Sequence, residues 1–235
     1  MIKNAIVTGA SGGLGSAIVK LLLGQGYQVY GCGRSQIQGF SHPSFHFQIL
    51  DLTDQKKVMD WVNFLKSLGG IDVLVHNAGT AHFSPLEEIP DVQLKEMIAV
   101  NFQAPIAITQ QLTRSLKEKK GHIIFVSSIA AVQVSPWGSI YAATKAGLLH
   151  FAREIFAELR KYDVKVSSIL PEMIDTKFYE TKNFGIEDSD PISYLSTEDV
   201  CKAIGFLLSQ SEASVVSEIT LQSQHLKIKR KKRSF

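Results

Sequence analysis

Asn4-Ala5-Ile6-Val7-Thr8-Gly9-Ala10-Ser11-Gly12-Gly13-Leu14-Gly15 is the stretch whose reading decides the fold. Its first five residues form a short, β-rich apolar run that stops abruptly at the glycines. Behind the glycines, Ala17, Ile18, Leu21 and Leu22 recur at helical spacing, and Gly24 and Gly26 close the segment. Strand, glycine turn and helix in this order aim free backbone N–H groups and a helix dipole at a phosphate. The glycines let the backbone approach a pyrophosphate with no Cβ in the way. A merely flexible glycine loop would not be framed on both flanks in this manner.

Outward from that turn, apolar runs and amphipathic segments alternate. Strands are read at Tyr27–Cys32, Phe45–Leu50, Ile71–Val75, Gly121–Ser128, Val164–Leu170 and Val215–Leu221. Helices are read from Lys56 to Leu68, from Asp91 to Lys117, from about Tyr141 to Lys161, and from Thr197 to Leu208 after a Ser196 cap. This alternation predicts an α/β chain built on a doubly wound parallel sheet with helices on both faces, which binds ligands at the carboxyl ends of its strands. The glycine turn, Asn77, Ser128 and Pro171 all fall at such ends and converge on one crevice. Residues 172–196 carry little periodicity, as a lid or a disordered segment does. The expected organisation is one domain over 1–225 and a disordered basic tail over 226–235.

Composition narrows the function. Hydrophobic residues make up 45% and charged residues 20% of the 235, which describes a globular protein. Cys32 and Cys201 have no paired spacing, so neither a disulfide framework nor a metal site is expected, and a cytoplasmic address is the default. No secretory leader and no membrane span are expected. The net charge of +3 falls by six, to −3, without the basic residues of Lys227-Ile228-Lys229-Arg230-Lys231-Lys232-Arg233. A specific nucleic-acid face on the folded body is therefore not expected, whereas the tail suits an acidic partner or anionic lipid.

Four residues carry the candidate chemistry. Tyr141 and Lys145 are four apart on a helix, hence on one face. An ammonium near a phenol favours phenolate, so Lys145 is expected to lower the Tyr141 pKa and let it exchange a proton near neutrality. Ser128, at the end of a strand, is placed to face the same pocket. Asn101, inside a helix, competes with the backbone and invites a special role. At the end of the second strand stand Arg34 and Ser35, and no Asp or Glu precedes Asp51. An acid near that point would bond a ribose 2′-hydroxyl; a guanidinium suits a 2′-phosphate, which argues for NADP(H) over NAD(H).

Thr8-Gly9-Ala10-Ser11-Gly12-Gly13-Leu14-Gly15 reads T-G-x-x-x-G-x-G and resembles the glycine motif of the short-chain dehydrogenase/reductase family, as the Tyr141/Lys145 pair resembles its catalytic motif. The resemblance runs from residue 1 to about 220 and implies a Rossmann-type, single-domain oxidoreductase. It assigns the cofactor to Gly9, Ser11, Gly13, Leu14, Gly15, Arg34, Ser35, Asp51, Leu52, Asn77, Ala78, Gly79, Tyr141, Lys145, Pro171, Ile174 and Thr176. Asp51 and Leu52 would border the adenine, Asn77 would brace the sheet, and Thr176 would meet the nicotinamide carboxamide. Ser128 and Tyr141 would bind a carbonyl oxygen, and Asn101 would kink its helix and hold a water that links Lys145 to solvent. Three departures stand out: His76 for the first of two asparagines, Glu172 for a glycine after Pro171, and Gln222-Ser223-Gln224-His225 for a glycine-rich ending. The resemblance implies a reductase of ketones or aldehydes, with 3-oxoacyl thioesters as first substrate and a homodimer or homotetramer as assembly. A protein that binds NADPH as a signal, with the tail recruiting a partner, is the alternative.

Overall fold

The computed structural model of the protein describes residues 3–35, 37, 39–179, 184–187 and 189–230. In chain order its elements are β1 (Lys3–Thr8), α1 (Gly13–Gly24), β2 (Tyr27–Gly33), β3 (Phe45–Ile49), α2 (Gln55–Lys66), β4 (Val73–His76), α3 (Asp91–Ile98), α4 (Ala104–Lys119), β5 (His122–Val126), α5 (Ser139–Leu159), β6 (Lys165–Pro171), β7 (Phe184–Ile186), α6 (Thr197–Leu208), β8 (Glu218–Leu221) and β9 (Ile228–Arg230). Seven strands form one sheet in the order β3-β2-β1-β4-β5-β6-β8, and every pairing in it is parallel. Strand order reverses between β1 and β4, so the crevice of a doubly wound fold opens above their carboxyl ends.

The side-chain period of two explains why both faces are covered. Ile6, Leu74, Ile123 and Phe125 point to one side and pack with Trp61, Val62 and Leu65 of α2, Ile108 and Leu112 of α4, and Leu148 of α5. Their neighbours Ala5, Val7, Val73, Val75, Ile124 and Val126 point to the other side, onto Leu14, Ile18 and Leu22 of α1 and Val200 and Ile204 of α6. Strands apolar at every position thus build two cores, as a sheet buried on both faces requires. Helix α6 starts where the sequence places it: Ser196 Oγ accepts from the Asp199 N–H (3.1 Å), and Asp199 Oδ2 accepts from the Ser196 N–H (2.9 Å). Such a capping box contributes about 1 kcal/mol.

Two elements differ in detail from the sequence reading. The helix read across Asp91 to Lys117 is broken, because residues 99–103 wind as a π-turn between α3 and α4. Asn101, in that turn and fully buried, donates from Nδ2 to the Thr80 carbonyl (2.8 Å) and to Thr144 Oγ1 (3.1 Å), and accepts at Oδ1 from the Thr80 N–H (2.8 Å). Wider winding turns the amide inward to make these bonds, a use of π-turns common at functional sites. The second difference lies in the described part of the tail, residues 226–230. Residues 228–230 form β9, which pairs antiparallel with β7, and His225 and Lys227 bond Asp190. Charge alone gave the tail no partner in the sequence; the partner lies some forty residues upstream. Residues 231–235 are outside the described part. Among the described residues no helix is long and apolar enough to cross a membrane, and no group of three or more His, Cys, Asp or Glu is arranged to hold a metal ion.

Candidate active site

A cleft of about 780 Å³ runs over the carboxyl ends of the central strands. Gly9, Ser11, Gly13, Leu14, Gly15, Arg34, Ser35, Asp51, Leu52, Asn77, Ala78, Gly79, Ser128, Tyr141, Lys145, Pro171, Ile174 and Thr176 all line it. Every residue assigned to the cofactor therefore borders one continuous space, together with Ser128. Asn101 does not line it but borders Gly79: a Cβ there would stand 3.5 Å from Lys145 Nζ and 3.6 Å from Asn101 Oδ1.

The glycine turn is tightest at Gly15, where a Cβ would lie 1.9 Å from the Gly9 carbonyl oxygen and 2.7 Å from Asn77 Nδ2. The turn folding back on Gly9 sets the crowding, and Asn77 adds to it, since its Nδ2 donates to the Thr8 and Gly9 carbonyls (3.1 Å each). Thr8 Oγ1 returns the tie by accepting the Asn77 and Ala78 N–H groups. These bonds lock the end of β1 to the end of β4, so Asn77 is the brace the sequence suggested. The cradle follows from the missing side chains: Gly15→Ala is expected to cost about 3 kcal/mol of stability through overpacking. Gly12, with no atom within 4 Å of its Cβ position, is the control. Urea midpoints should separate the two, with Gly12→Ala unchanged.

Arg34 shows what the sequence could not. Its Nη1 lies 3.1 Å from Glu96 Oε1, and the other oxygen of Glu96 lies 3.2 Å from His82 Nε2. Glu96 also lines the cleft, so an acid from α3 reaches the place where none is encoded nearby in the chain. Asp51 spends Oδ1 on the Thr53 N–H and hydroxyl (2.9 and 2.8 Å), which fixes the turn that presents Leu52.

At the opposite end stand Ser128, Tyr141 and Lys145. Ser128 follows β5 and caps a short 3₁₀ turn, accepting the Ala130 N–H at 3.2 Å. Lys145 is buried, and its Nζ donates to the Val126 carbonyl (2.9 Å), 5.9 Å from the centre of the Tyr141 ring. The expected tuning is corrected here. Burial pushes the Tyr141 phenol above its ordinary pKa, and a hydrogen bond from Ser128 works the other way. Burial also brings Lys145 down to about 8. Spacing placed the two groups on one face, but burial is the larger influence on the phenol. His76 stays outside the cleft: its Nε2 meets Thr109 Oγ1 at 2.8 Å, its ring stacks on Phe125, and burial lowers its pKa to about 3, which leaves a neutral imidazole.

Around Tyr141 five aromatic rings close a circuit that no motif announces. Centroid separations are 5.6 Å from Tyr141 to Phe83, 4.8 Å to Phe184, 5.8 Å to Tyr179, 5.1 Å to Phe178 and 6.4 Å back to Tyr141. Pairs at such distances gain about 0.5–1.5 kcal/mol each beyond burial. These residues come from three segments far apart in sequence, so periodicity gave no sign of them. Trp137 rims the same region in a left-handed conformation (φ 61°), its carbonyl accepting the Ser84 N–H.

A family model for short chain dehydrogenases matches residues 3–186. The chain belongs to this family. An uncharacterized oxidoreductase of Staphylococcus saprophyticus is 32% identical over 232 residues, covering 94% of this chain and 97% of the relative. The NADPH-dependent 1-acyldihydroxyacetone phosphate reductase of Saccharomyces cerevisiae is 34% identical over 174 residues, 70% of this chain and 58% of that enzyme. Among solved structures, the alcohol dehydrogenase of the archaeon Thermococcus sibiricus, complexed with 5-hydroxy-NADP, superposes with a TM-score of 0.85 at 27% identity, covering 95% of this chain and 97% of the other. The chain is thus an oxidoreductase of the short-chain dehydrogenase family on a Rossmann-type sheet, and its cleft fits a nicotinamide dinucleotide.

Proposed function

We propose that this short-chain dehydrogenase reduces a ketone or aldehyde with NADPH, Tyr141 acting as the proton donor. The carrying observation is that the glycine cradle and Arg34 occupy one end of a single cleft whose other end holds Ser128, Tyr141 and Lys145. A bound nicotinamide supplies the hydride. The residues do the rest. Ser128 and Tyr141 donate hydrogen bonds to the carbonyl oxygen, and Tyr141 passes its proton to that oxygen as negative charge develops. A phenol raised by burial keeps this proton through neutral pH, the state that reduction requires. The Lys145 ammonium, buried and little screened, stabilises the phenolate that remains. Asn101 anchors Thr80 and Thr144 beside Lys145 and so positions the path by which the proton returns.

The ring circuit favours a substrate whose carbonyl carries an apolar substituent, a 3-oxoacyl thioester being the first to try. Following NADPH absorbance with a panel of 3-oxoacyl thioesters, quinones and simple ketones tests the reading. Silence across the panel, with NADPH still bound, would overturn it.

Preference for NADP(H) rests on Arg34, Ser35 and the absence of an acid before Asp51; Glu96 opposes it. A 2′-phosphate must compete with the Glu96 carboxylate for the guanidinium, and that pair is half exposed to water, so its strength is at most about 1 kcal/mol. Glu96→Gln is accordingly expected to tighten NADPH binding about threefold to fivefold and to leave NADH unchanged. Fluorescence titration with both cofactors checks it; equal gains for the two would assign Glu96 to something other than the phosphate.

A further inference from the structure

The segment from Pro171 to Leu195 brings Phe178, Tyr179 and Phe184 into the ring circuit of Tyr141, and among its described residues the regular structure after β6 is a 3₁₀ turn at Lys177–Tyr179 and β7. It is held from outside, by residues 221–230, at three places. At its start the Glu172 N–H donates to the Leu221 carbonyl (2.9 Å), and Glu172 Oε2 accepts from both the N–H (3.0 Å) and the hydroxyl (2.7 Å) of Ser223. In its middle β7 pairs with β9, residue for residue from Phe184↔Arg230 to Ile186↔Ile228. Towards its end Asp190 Oδ2 accepts from Lys227 Nζ (2.7 Å) and His225 Nδ1 (3.1 Å), and the His225 N–H donates to the Ile192 carbonyl (3.0 Å). The Asp190 side chain is only 12% exposed, and Lys227 and His225 together hold its carboxyl down at about 2.

Two departures from the family pattern, Glu172 in place of a glycine and Ser223 in place of a glycine-rich ending, are thus the two halves of one contact. We propose that residues 221–230 form a strap, with Glu172 and Asp190 as positioning residues, that sets the ring circuit over Tyr141 and so fixes how the carbonyl substrate is seated. The role assigned to the basic residues of the strap is internal: Lys227 is engaged by the loop. This inference rests on the reductase reading for its kinetic consequence, but not for its structural one.

The test uses the full chain with Asp190→Lys, Lys227→Asp and the double exchange. Asp190→Lys should raise KM for the carbonyl substrate about tenfold, with kcat and the NADPH dissociation constant each within about twofold. It should also speed hydrogen exchange of the Phe184–Ile186 amides at least about tenfold. The double exchange restores the ion pair and should bring both readouts back to within about threefold of the natural chain. Unchanged exchange in Asp190→Lys overturns the strap, as does a KM that rises in step with the NADPH constant, since that marks general loosening. If the natural chain turns over no carbonyl compound, the exchange series still decides the strap, and only the reductase reading falls.

Discussion

Tyr141→Phe is expected to lower turnover at least about 10³-fold while changing NADPH affinity by less than about twofold. The substitution removes one oxygen and keeps the ring, so the contacts to Phe83 and Phe178 that seat it survive. What is lost is the phenolic proton that borders the cleft with Ser128 and Lys145, along with one of the two hydrogen bonds proposed for the developing oxyanion. Positioned general acids contribute about 10²–10⁴, and an oxyanion donor about 10²–10³; the two overlap here in a single group, so a bound of about 10³, below the roughly 10⁴ at which their product starts, is the safe figure. The adenosine end of the cleft, from Gly9 to Gly15 and Arg34, is untouched, and cofactor affinity should follow it. Steady-state kcat beside a fluorescence titration separates the two quantities. A variant that keeps more than a tenth of its turnover would place the proton donor elsewhere.

How far the site could be read in advance depended on the range of the interactions. Ile6 and Val7 face opposite cores because a strand alternates, and Gly15 tolerates no Cβ because its own turn folds back on Gly9; both facts are written within a few residues. Ser196 and Asp199 cap α6 by the same local logic. The sheet, the glycine cradle and the Tyr141 helix were legible for that reason. Glu96 was not, because its meeting with Arg34 is made by the tertiary fold across 62 positions. The same holds for Asp190 with Lys227 and for β7 with β9, which a charge count read as a loose tail. Asn101 lies between: its awkward place in a helix was visible, but the π-turn that resolves it depends on Thr80 and Thr144. The pKa of Tyr141 was misjudged in direction because spacing reports geometry and says nothing of the dielectric around it.

Lys145→Met is expected to be more stable than the natural chain at neutral pH and at least about 10²-fold slower. Lys145 is 4% exposed, and burial holds it at about 8 against an ordinary 10.5. The unfolded chain therefore keeps a proton between those values that the folded chain has released, so stability rises with pH across that window. Below about pH 8 the folded protein carries the whole cost of the buried charge, about 3 kcal/mol at roughly 1.4 kcal/mol per pH unit. Methionine removes that cost and fills similar space, but forfeits the hydrogen bond to the Val126 carbonyl, worth about 1–2 kcal/mol. The net gain of about 1–2 kcal/mol should raise the melting temperature by about 4 °C at pH 7. At pH 10 most of the difference should vanish, since the natural chain has by then shed its buried proton. Calorimetry of both chains at the two pH values reads the sign directly. A lower melting temperature for Lys145→Met at pH 7 would mean that the lysine stabilises the fold; the expected rise would mean that the ammonium is kept there against stability, for the charge it places beside Tyr141.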